Sequence, residues 1–488
     1  MISENPHHER RWAILALLGI AQLMVVLDAT IVNIALPSAQ EALAFSNDSR
    51  QWVVTAYALA FGSLLLLGGR IGDLFGRKRV FIAGLLGFAL ASALGGAAQS
   101  FSVLVASRAL QGVFGALLAP AALSLLTTTF TAPHERAKAF GIFGAIAGGG
   151  SAIGLLLGGI LTEYLSWRWC LYVNLLFAVP AAFLASSMLV NQVPAHRPRL
   201  DVPGTITATT GLFALVYGFS HAETTSWSNG LTVAMLVAAA ILLVSFIAIQ
   251  RVSSHPLLPL RIVLDRMRGG AYLAMGMAGA GMFGVFLFLT FYLQNTLEFS
   301  PIQSGLAFLP MSAAIILTAT TATTRLVPRI GPKPLVLTGM TLAALAMTFF
   351  AQLQVDSTYA LHILPGLLLL GVGLGLVFAP TFSTATMGVS PADAGVASAM
   401  VNTSQQVGGS VGTALLSTLA GSAVSSFVAD RASSSPDVLA AAAVHGYTTA
   451  FYWSAAIFAF GVIVSSIVLR SGAIQTATAP SAEPVLAH

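Results

Sequence analysis

The sequence predicts an all-α polytopic membrane protein with 14 transmembrane helices, arranged as two six-helix bundles with two extra central helices. Three observations carry this reading. Of 488 residues, 56% are hydrophobic and only 8% charged, where a soluble globular chain carries roughly 25% charge; too few charges are present to build a water-exposed surface. The apolar residues fall into windows of about twenty separated by short polar breaks, which is the length a helix rising about 1.5 Å per residue needs to cross a ~30 Å hydrocarbon core. Lys and Arg, finally, gather on alternate breaks, as loops retained on the cytoplasmic side do.

The first apolar run follows Arg10 and Arg11 and extends from Trp12 to Leu36. It stops at Pro37 without an Ala-x-Ala cleavage site and so reads as a retained helix rather than a signal peptide. The spans Trp52 to Gly69, Val80 to Ala98, Phe101 to Leu126, Ala139 to Leu161 and Trp169 to Leu189 complete a first set of six, residues 1–190. A polar stretch, Asn191 to Pro203, then opens a linker, 191–268, that holds two further spans, Gly204 to Phe219 and Leu231 to Ile249, and a basic loop from Arg251 to Arg268. The first of these two is short for a membrane helix, and it can be dropped only together with its neighbour. The last six spans fill 269–470: Tyr272 to Leu293, Gly305 to Thr324, Pro334 to Gln352, His362 to Met387, Val396 to Leu419 and Tyr447 to Leu469. The tail 471–488, rich in Ala and Pro, reads as a disordered cytoplasmic segment. Trp12, Trp52, Trp167, Trp169 and Trp227 lie near predicted helix ends, where an amphipathic ring sits well.

With both termini inside, Arg50, Arg168 and Arg431 are the basic residues left outside, Arg108 lies within a helix, and the remainder of the 22 fall on inner segments. One missed span would invert every later loop, so the asymmetry supports an even number of helices. The net charge of +5 then describes loops facing anionic lipid, not a nucleic-acid surface. The single cysteine, Cys170, excludes an internal disulfide and argues against a cysteine-based metal site. No metal, cofactor or nucleic acid is expected, and the chain reads as a monomer.

An internal repeat follows. The inner loop after the second helix contains Gly69, Asp73, Gly76, Arg77, Lys78 and Arg79; the loop after the tenth contains Arg325, Arg329, Gly331 and Lys333. Two similar basic turns are expected if two six-helix halves are related by repetition, as in many secondary transporters. Charge bias alone would also make short inner loops rich in Gly and Arg. It leaves Asp73 unexplained, because an acidic residue there opposes the bias; a carboxylate at a helix end can accept from a neighbouring helix start or pair with an arginine.

Of the 17 acidic residues, Asp28 is the one placed well within a span; Glu163, Glu223, Glu298, Asp356 and Asp393 fall in loops or at helix ends. A carboxylate in lipid is costly unless paired, protonated or wet, and therefore marks a relay or cation site. The plainer reading is a helix-packing contact with Thr30 and Asn33. Eight residues before Leu36, Asp28 is about 12 Å deep, and Arg108, seven after Phe101, is about 10 Å deep. At similar depth, Arg108 would favour the charged carboxylate when close and release it when apart, linking conformation to protonation. Gln111 can orient the guanidinium or hold a water; a static Arg108 pair is the alternative. Asn33, Asn174, Tyr292, Gln294, Asn402 and Gln405 either line a pathway or hold helices together. Pro120, Pro180, Pro310, Pro365 and Pro380 predict bends.

Several of these blocks occur in one order that resembles the fourteen-helix drug:proton antiporters of the major facilitator superfamily, over roughly residues 12–470. Gly69 to Arg79 is similar to the family's signature loop, Leu27 to Pro37 to its first-helix motif, and Arg108 to Gly112 to its fourth-helix motif. Tyr292 to Gln294 with Ser300 and Pro301, and Ala394 to Ser398 with Asn402, Gln405 and Gly408, resemble blocks of the second half. The resemblance implies a major facilitator fold, alternating access and export of lipophilic or cationic drugs or antibiotics in exchange for protons, from a bacterial cell membrane with both termini cytoplasmic. It also implies proton coupling at Asp28, Arg108 and Gln111, and conformational switching at Gly69, Asp73, Gly76, Arg77 and Lys78. In the fifth helix Gly150, Gly154, Gly158 and Gly159 are in register with the antiporter motif, but Leu155 stands where the family has proline. An altered bend is expected there, and a proton-coupled importer of a small organic solute is the alternative function. No phosphate-binding GxxxxGK[ST] loop, HExxH or Ser-His-Asp arrangement is legible, so neither ATP-driven pumping nor an enzyme activity has support in the sequence.

Overall fold

The computed structural model describes residues 9–45, 49, 52–190, 200–431 and 435–470. Arg50, Arg197 and Arg199, the greater part of the stretch Asn191 to Pro203, and the tail 471–488 lie outside the described residues. Thirteen helices are long and apolar enough to cross a bilayer, and a fourteenth span is bent by 42° where Pro133–Ser151 meets Ile153–Tyr164. The spanning helices are α1 (Arg11–Leu43), α2 (Trp52–Phe75), α3 (Arg77–Gly96), α4 (Phe101–Thr129), α5 (Pro133–Tyr164), α6 (Trp169–Met188), α7 (Val202–Thr224), α8 (Gly230–Val252), α9 (Arg266–Phe291), α10 (Pro301–Thr321), α11 (Pro332–Phe350), α12 (Leu364–Ala385), α13 (Ala394–Arg431) and α14 (Pro436–Val468). With an even number of spans, the start of α1 at Arg11 and the end of α14 at Val468 fall at one end of the bundle.

Helix starts follow from short polar side chains. Ser100, Asp201, Asn229 and Asp265 each accept from an amide in the first turn of α4, α7, α8 and α9, and Ser300 and Gln303 form a reciprocal capping box on α10. In lipid every such amide needs a partner within the protein. Small residues then set the packing distances. Gly112 lies against the Tyr57 carbonyl between α4 and α2, Gly279 against the Gln405 carbonyl between α9 and α13, and Gly371 against the Met311 carbonyl between α12 and α10. A Cβ at any of these would meet backbone, so the glycines permit close helix contact where no hydrophobic effect drives it.

Several helices are longer than their hydrophobic runs. α1 continues through Pro37 to Leu43, α13 runs to Arg431 instead of ending near Leu419, and α14 starts at Pro436, eleven residues before Tyr447. Polar residues beyond the hydrocarbon core still favour helix, so hydropathy marks the membrane-embedded part rather than the helix end. α7 is corrected at both ends. Asp201 and Pro203 begin it and it continues to Thr224, 23 residues in all, so Glu223 belongs to the helix and not to a loop. α7 packs on α2 and α13, while α8 turns Val233, Val237, Ile241 and Val244 outward, as a lipid-facing helix does.

The repeat is visible in backbone geometry. Gly76 and Gly331 both have positive φ, 95° and 78°, a conformation that suits glycine at a tight turn. Two residues after each, a lysine crosses to the last turn of another helix: Lys78 Nζ donates to the Ser186 carbonyl at 2.6 Å and Lys333 Nζ to the Ser466 carbonyl at 2.7 Å. Those carbonyls sit at matching positions near the ends of α6 and α14.

Candidate functional site

Five helices converge on one buried polar cluster. Asp28 of α1 is fully buried, and its Oδ2 accepts from Arg108 Nη1 of α4 at 2.6 Å. Its Oδ1 accepts from Gln111 Nε2 at 2.9 Å and from Asn174 Nδ2 of α6 at 2.8 Å. Arg108 Nη1 also reaches Gln111 Oε1 at 2.6 Å, its Nε donates to the Val53 carbonyl of α2 at 3.2 Å, and the guanidinium lies 4.6 Å from the Tyr57 ring centroid. Ser92 of α3 accepts from Gln111 Nε2 at 2.7 Å and from Asn174 Nδ2 at 3.3 Å. Burying such a pair costs several kcal/mol per ion by general estimate, and these hydrogen bonds offset that cost on both partners. Among the described residues of the cluster, Asn174 Oδ1 and the Tyr57 hydroxyl have no hydrogen-bond partner.

The contact identifies the partner of Asp28. Thr30 donates to the Val26 and Leu27 carbonyls of its own helix and Asn33 is exposed, so neither is the partner of Asp28. Arg108 does not snorkel; it is buried against the carboxylate. Because α1 continues to Leu43, Asp28 is 15 residues from that helix end, about 22 Å, yet it still meets Arg108, since α1 projects past α4. Sequence reasoning missed Ser92 and Tyr57. A lone serine in an Ala- and Gly-rich span and a tyrosine on a buried face were the available signals.

A second constellation joins α2 to α13 at the end of the bundle where α1 starts. Asp73 in the last turn of α2 accepts from Arg77 Nη2 at 3.1 Å and from the Gly395 and Val396 amides at 3.1 and 3.3 Å. Those amides open α13 and have no intrahelical partner, so a carboxylate suits them. Gly69 lies against the Gly395 carbonyl, where a Cβ would meet backbone. Nearby, Arg136 at the start of α5 donates to the Thr386 hydroxyl at 2.9 Å and to its carbonyl at 3.2 Å. Of the switch-loop set, Gly69 and Asp73 touch the other half directly; Gly76 supplies the turn, Arg77 holds Asp73, and Lys78 ties α3 to α6.

The glycines of α5 divide between two faces. Gly150, Gly154 and Gly158 meet α1 at Val26, Thr30 and Ile31, whereas Gly159 meets Ile302 at the start of α10. The bend in this helix is present with Leu155, so proline is not required for it. The remaining pathway residues do not join the cluster around Asp28. Tyr292 donates to the Gln354 carbonyl at 2.6 Å, and it lies with Gln294 in a π-turn, Tyr292–Thr296, that closes α9. Asn402 donates to the Ser398 carbonyl of its own helix, and Gln405 is half-buried on α13. Asn174 alone among the pathway residues is part of the buried site.

A bundle of membrane-spanning helices, with a buried Asp28–Arg108 pair inside and Asp73 of α2 bonded to the start of α13, defines the class as a polytopic membrane protein. The chain belongs to the Major Facilitator Superfamily, whose sequence signature matches residues 18–413. It is 47% identical over 477 residues to the puromycin resistance protein pur8 of Streptomyces alboniger, covering 97% of this chain and 93% of that protein. It is 39% identical over 427 residues to the cephamycin export protein CmcT of Amycolatopsis lactamdurans, covering 87% and 88%, and 36% identical over 418 residues to the lincomycin resistance protein of Streptomyces lincolnensis, covering 84% and 85%. The fold is shared with the human organic anion transporter MFSD10, at a TM-score of 0.64 and 17% identity over 94% of this chain and 99% of that one. The protein is thus a bacterial multi-pass membrane transporter of the branch that holds resistance and export proteins.

Proposed function

We propose that the protein exports lipophilic or cationic small molecules of the antibiotic type in exchange for protons, by alternating access, with both termini cytoplasmic. The observation that carries this reading is the sealed Asp28–Arg108 pair, to which Gln111 and Asn174 are bonded. The charged carboxylate ties α1 to α4 and α6. Adding a proton removes the charge that pays for Arg108 burial, loosening the tie; the unpartnered Asn174 Oδ1, after rotation of its amide, offers an acceptor for the protonated acid. An exchange of that kind lets protonation and conformation drive one another.

Orientation rests on basic loops and on anionic lipid attracting them. In this orientation the Asp73 and Arg136 contacts close the cytoplasmic end, a state from which Asp28 would exchange its proton with the outside. We assign residues 1–190 and 269–470 to two rocking bundles, 191–268 to an inserted pair of helices, and the working unit to a monomer; the matched Lys78 and Lys333 contacts support the pairing of the bundles. Names of the relatives support export of an antibiotic. Purified protein in liposomes, with proton and substrate gradients set independently, tests the reading: puromycin, cephamycin C or lincomycin moving out of the cytoplasmic-side compartment must drive protons the opposite way. Co-movement of proton and substrate in one direction would make the protein an importer.

A further inference from the structure

The guanidinium of Arg108 is held from two directions, and a proton on Asp28 would act on only one of them. Asp28 of α1 holds it by charge, at 2.6 Å. α2 holds it without charge: the Val53 carbonyl accepts from Nε at 3.2 Å, and one turn further along α2 the guanidinium carbon lies over the Tyr57 ring, 4.6 Å from its centroid. Neutralising Asp28 removes the first hold and leaves the second.

Packing sets the ring in this place. Gly112, one turn after Arg108 on α4, approaches the Tyr57 carbonyl so closely that a Cβ there would stand 2.5 Å from it. Phe61 stacks on Tyr57 at 5.5 Å and 9° and borders Gly115 of α4, which fixes the plane of the ring. The Tyr57 hydroxyl is buried without a hydrogen-bond partner, so the cluster uses this side chain through its face. Of the helices packed around the pair, α3, α5 and α13 carry titratable residues only near their ends. α6 adds Cys170 and Tyr172, which are turned to Thr162 and Trp169.

An aromatic face carries partial negative charge. While Asp28 is ionised that face meets an ion pair, and its attraction for the guanidinium is offset by its repulsion of the carboxylate. With Asp28 protonated only the attraction remains, in a site shut off from water where cation–π contacts are strongest. The ring therefore favours the state in which Asp28 carries a proton. We propose that Tyr57 is a positioning residue of the coupling site: its ring face receives the Arg108 cation when Asp28 takes up a proton, so that α4 stays on α2 while α1 is released. The inference rests on the coupling role of Asp28 and adds to it a seat for the charge left behind.

The test replaces Tyr57 by phenylalanine, and by phenylalanines carrying one, two and three ring fluorines, which withdraw negative charge from the face at nearly constant size. Protonation of Asp28 is read on the full-length protein in detergent as the infrared carboxylic-acid band that Asp28→Asn removes, titrated against pH. Tyr57→Phe is expected to titrate as wild type does. Added fluorines are expected to move the midpoint stepwise to lower pH, by about one unit over the series, a tenfold loss of proton affinity. Tyr57→Leu is expected to move it at least as far, and the fluorinated rings give the answer even if that variant fails to fold. A midpoint constant within about 0.2 unit across the fluorinated series, or one displaced as far by Tyr57→Phe as by Tyr57→Leu, would overturn the assignment. Substrate-driven proton movement in liposomes is scored on the same proteins. A midpoint that follows the fluorines in a chain that moves no protons would keep Tyr57 as the seat of Arg108 and sink the coupling reading instead.

Discussion

The Asp28–Arg108 pair makes a prediction about stability that differs from the one about transport. In Asp28→Asn the guanidinium keeps the Val53 carbonyl and Gln111 but loses its counter-ion in a site shut off from water. In Arg108→Ala the carboxylate keeps Gln111 and Asn174 and loses the 2.6 Å contact. Removing one member of a buried pair typically costs about 3–5 kcal/mol, whereas replacing both by neutral groups of similar volume is often close to neutral. Each single variant is therefore expected to be destabilised by about 3–5 kcal/mol, and Asp28→Asn combined with Arg108→Gln by less than either. The interaction energy of the cycle should be on the order of several kcal/mol, well beyond the ~0.5 kcal/mol scatter of independent sites. The assay is thermal or denaturant unfolding of the purified proteins in detergent, with retention of the bundle checked by gel filtration. If the two single effects simply add in the double variant, the pair is not an energetic unit and the coupling scheme loses its physical basis.

Three further outcomes follow from other parts of the structure. Asp73→Asn removes the charge held by the Gly395 and Val396 amides; it should leave insertion and expression largely intact while slowing turnover of purified protein in liposomes, and a wild-type rate would show that the charge is not needed for switching. Gly154→Val should lower thermal stability by about 1–3 kcal/mol through overpacking, because its Cβ would fall on the Thr30 hydroxyl of α1, whereas Gly72→Ala, with open space around it, should not; equal effects would refute the packing account of α5. In a Cys170-free background, single cysteines at His221 to Trp227 should label from outside, and external labelling of one placed between Val252 and Leu257 would sink the map of 14 helices.

Much of this architecture is legible in the sequence because lipid imposes one rule on every span: enough apolar residues to cross, with all backbone groups bonded inside the helix. That rule locates the spans from Trp12 onward and singles out Asp28 and Arg108, whose charges are costly inside a span. It does not locate helix ends. Pro37 looks like a stop but sits inside α1, and His221 and Glu223 look like loop residues but ride the last turn of α7, where the Thr232 hydroxyl of α8 gives His221 a partner that only the tertiary fold supplies. Ser92 and Tyr57 gave only weak local signals for the same reason. A hydroxyl within an apolar span usually bonds its own helix, as Thr30 and Ser63 do, and nothing local distinguishes the one that receives Gln111 and Asn174. The loop at Gly76 was readable as a turn, but the partner of its Asp73 at the start of α13, Gly395, 322 residues from Asp73, was not.

The central claim is that protons move through Asp28. The most direct test is substrate-driven proton movement in proteoliposomes carrying Asp28→Asn, with substrate binding measured on the same preparation. The account predicts that the variant retains measurable binding of an uncharged substrate yet neither moves protons in response to it nor accumulates it against a gradient. Proton exchange at the wild-type stoichiometry by a folded Asp28→Asn protein would contradict the account and move the relay to another carboxylate.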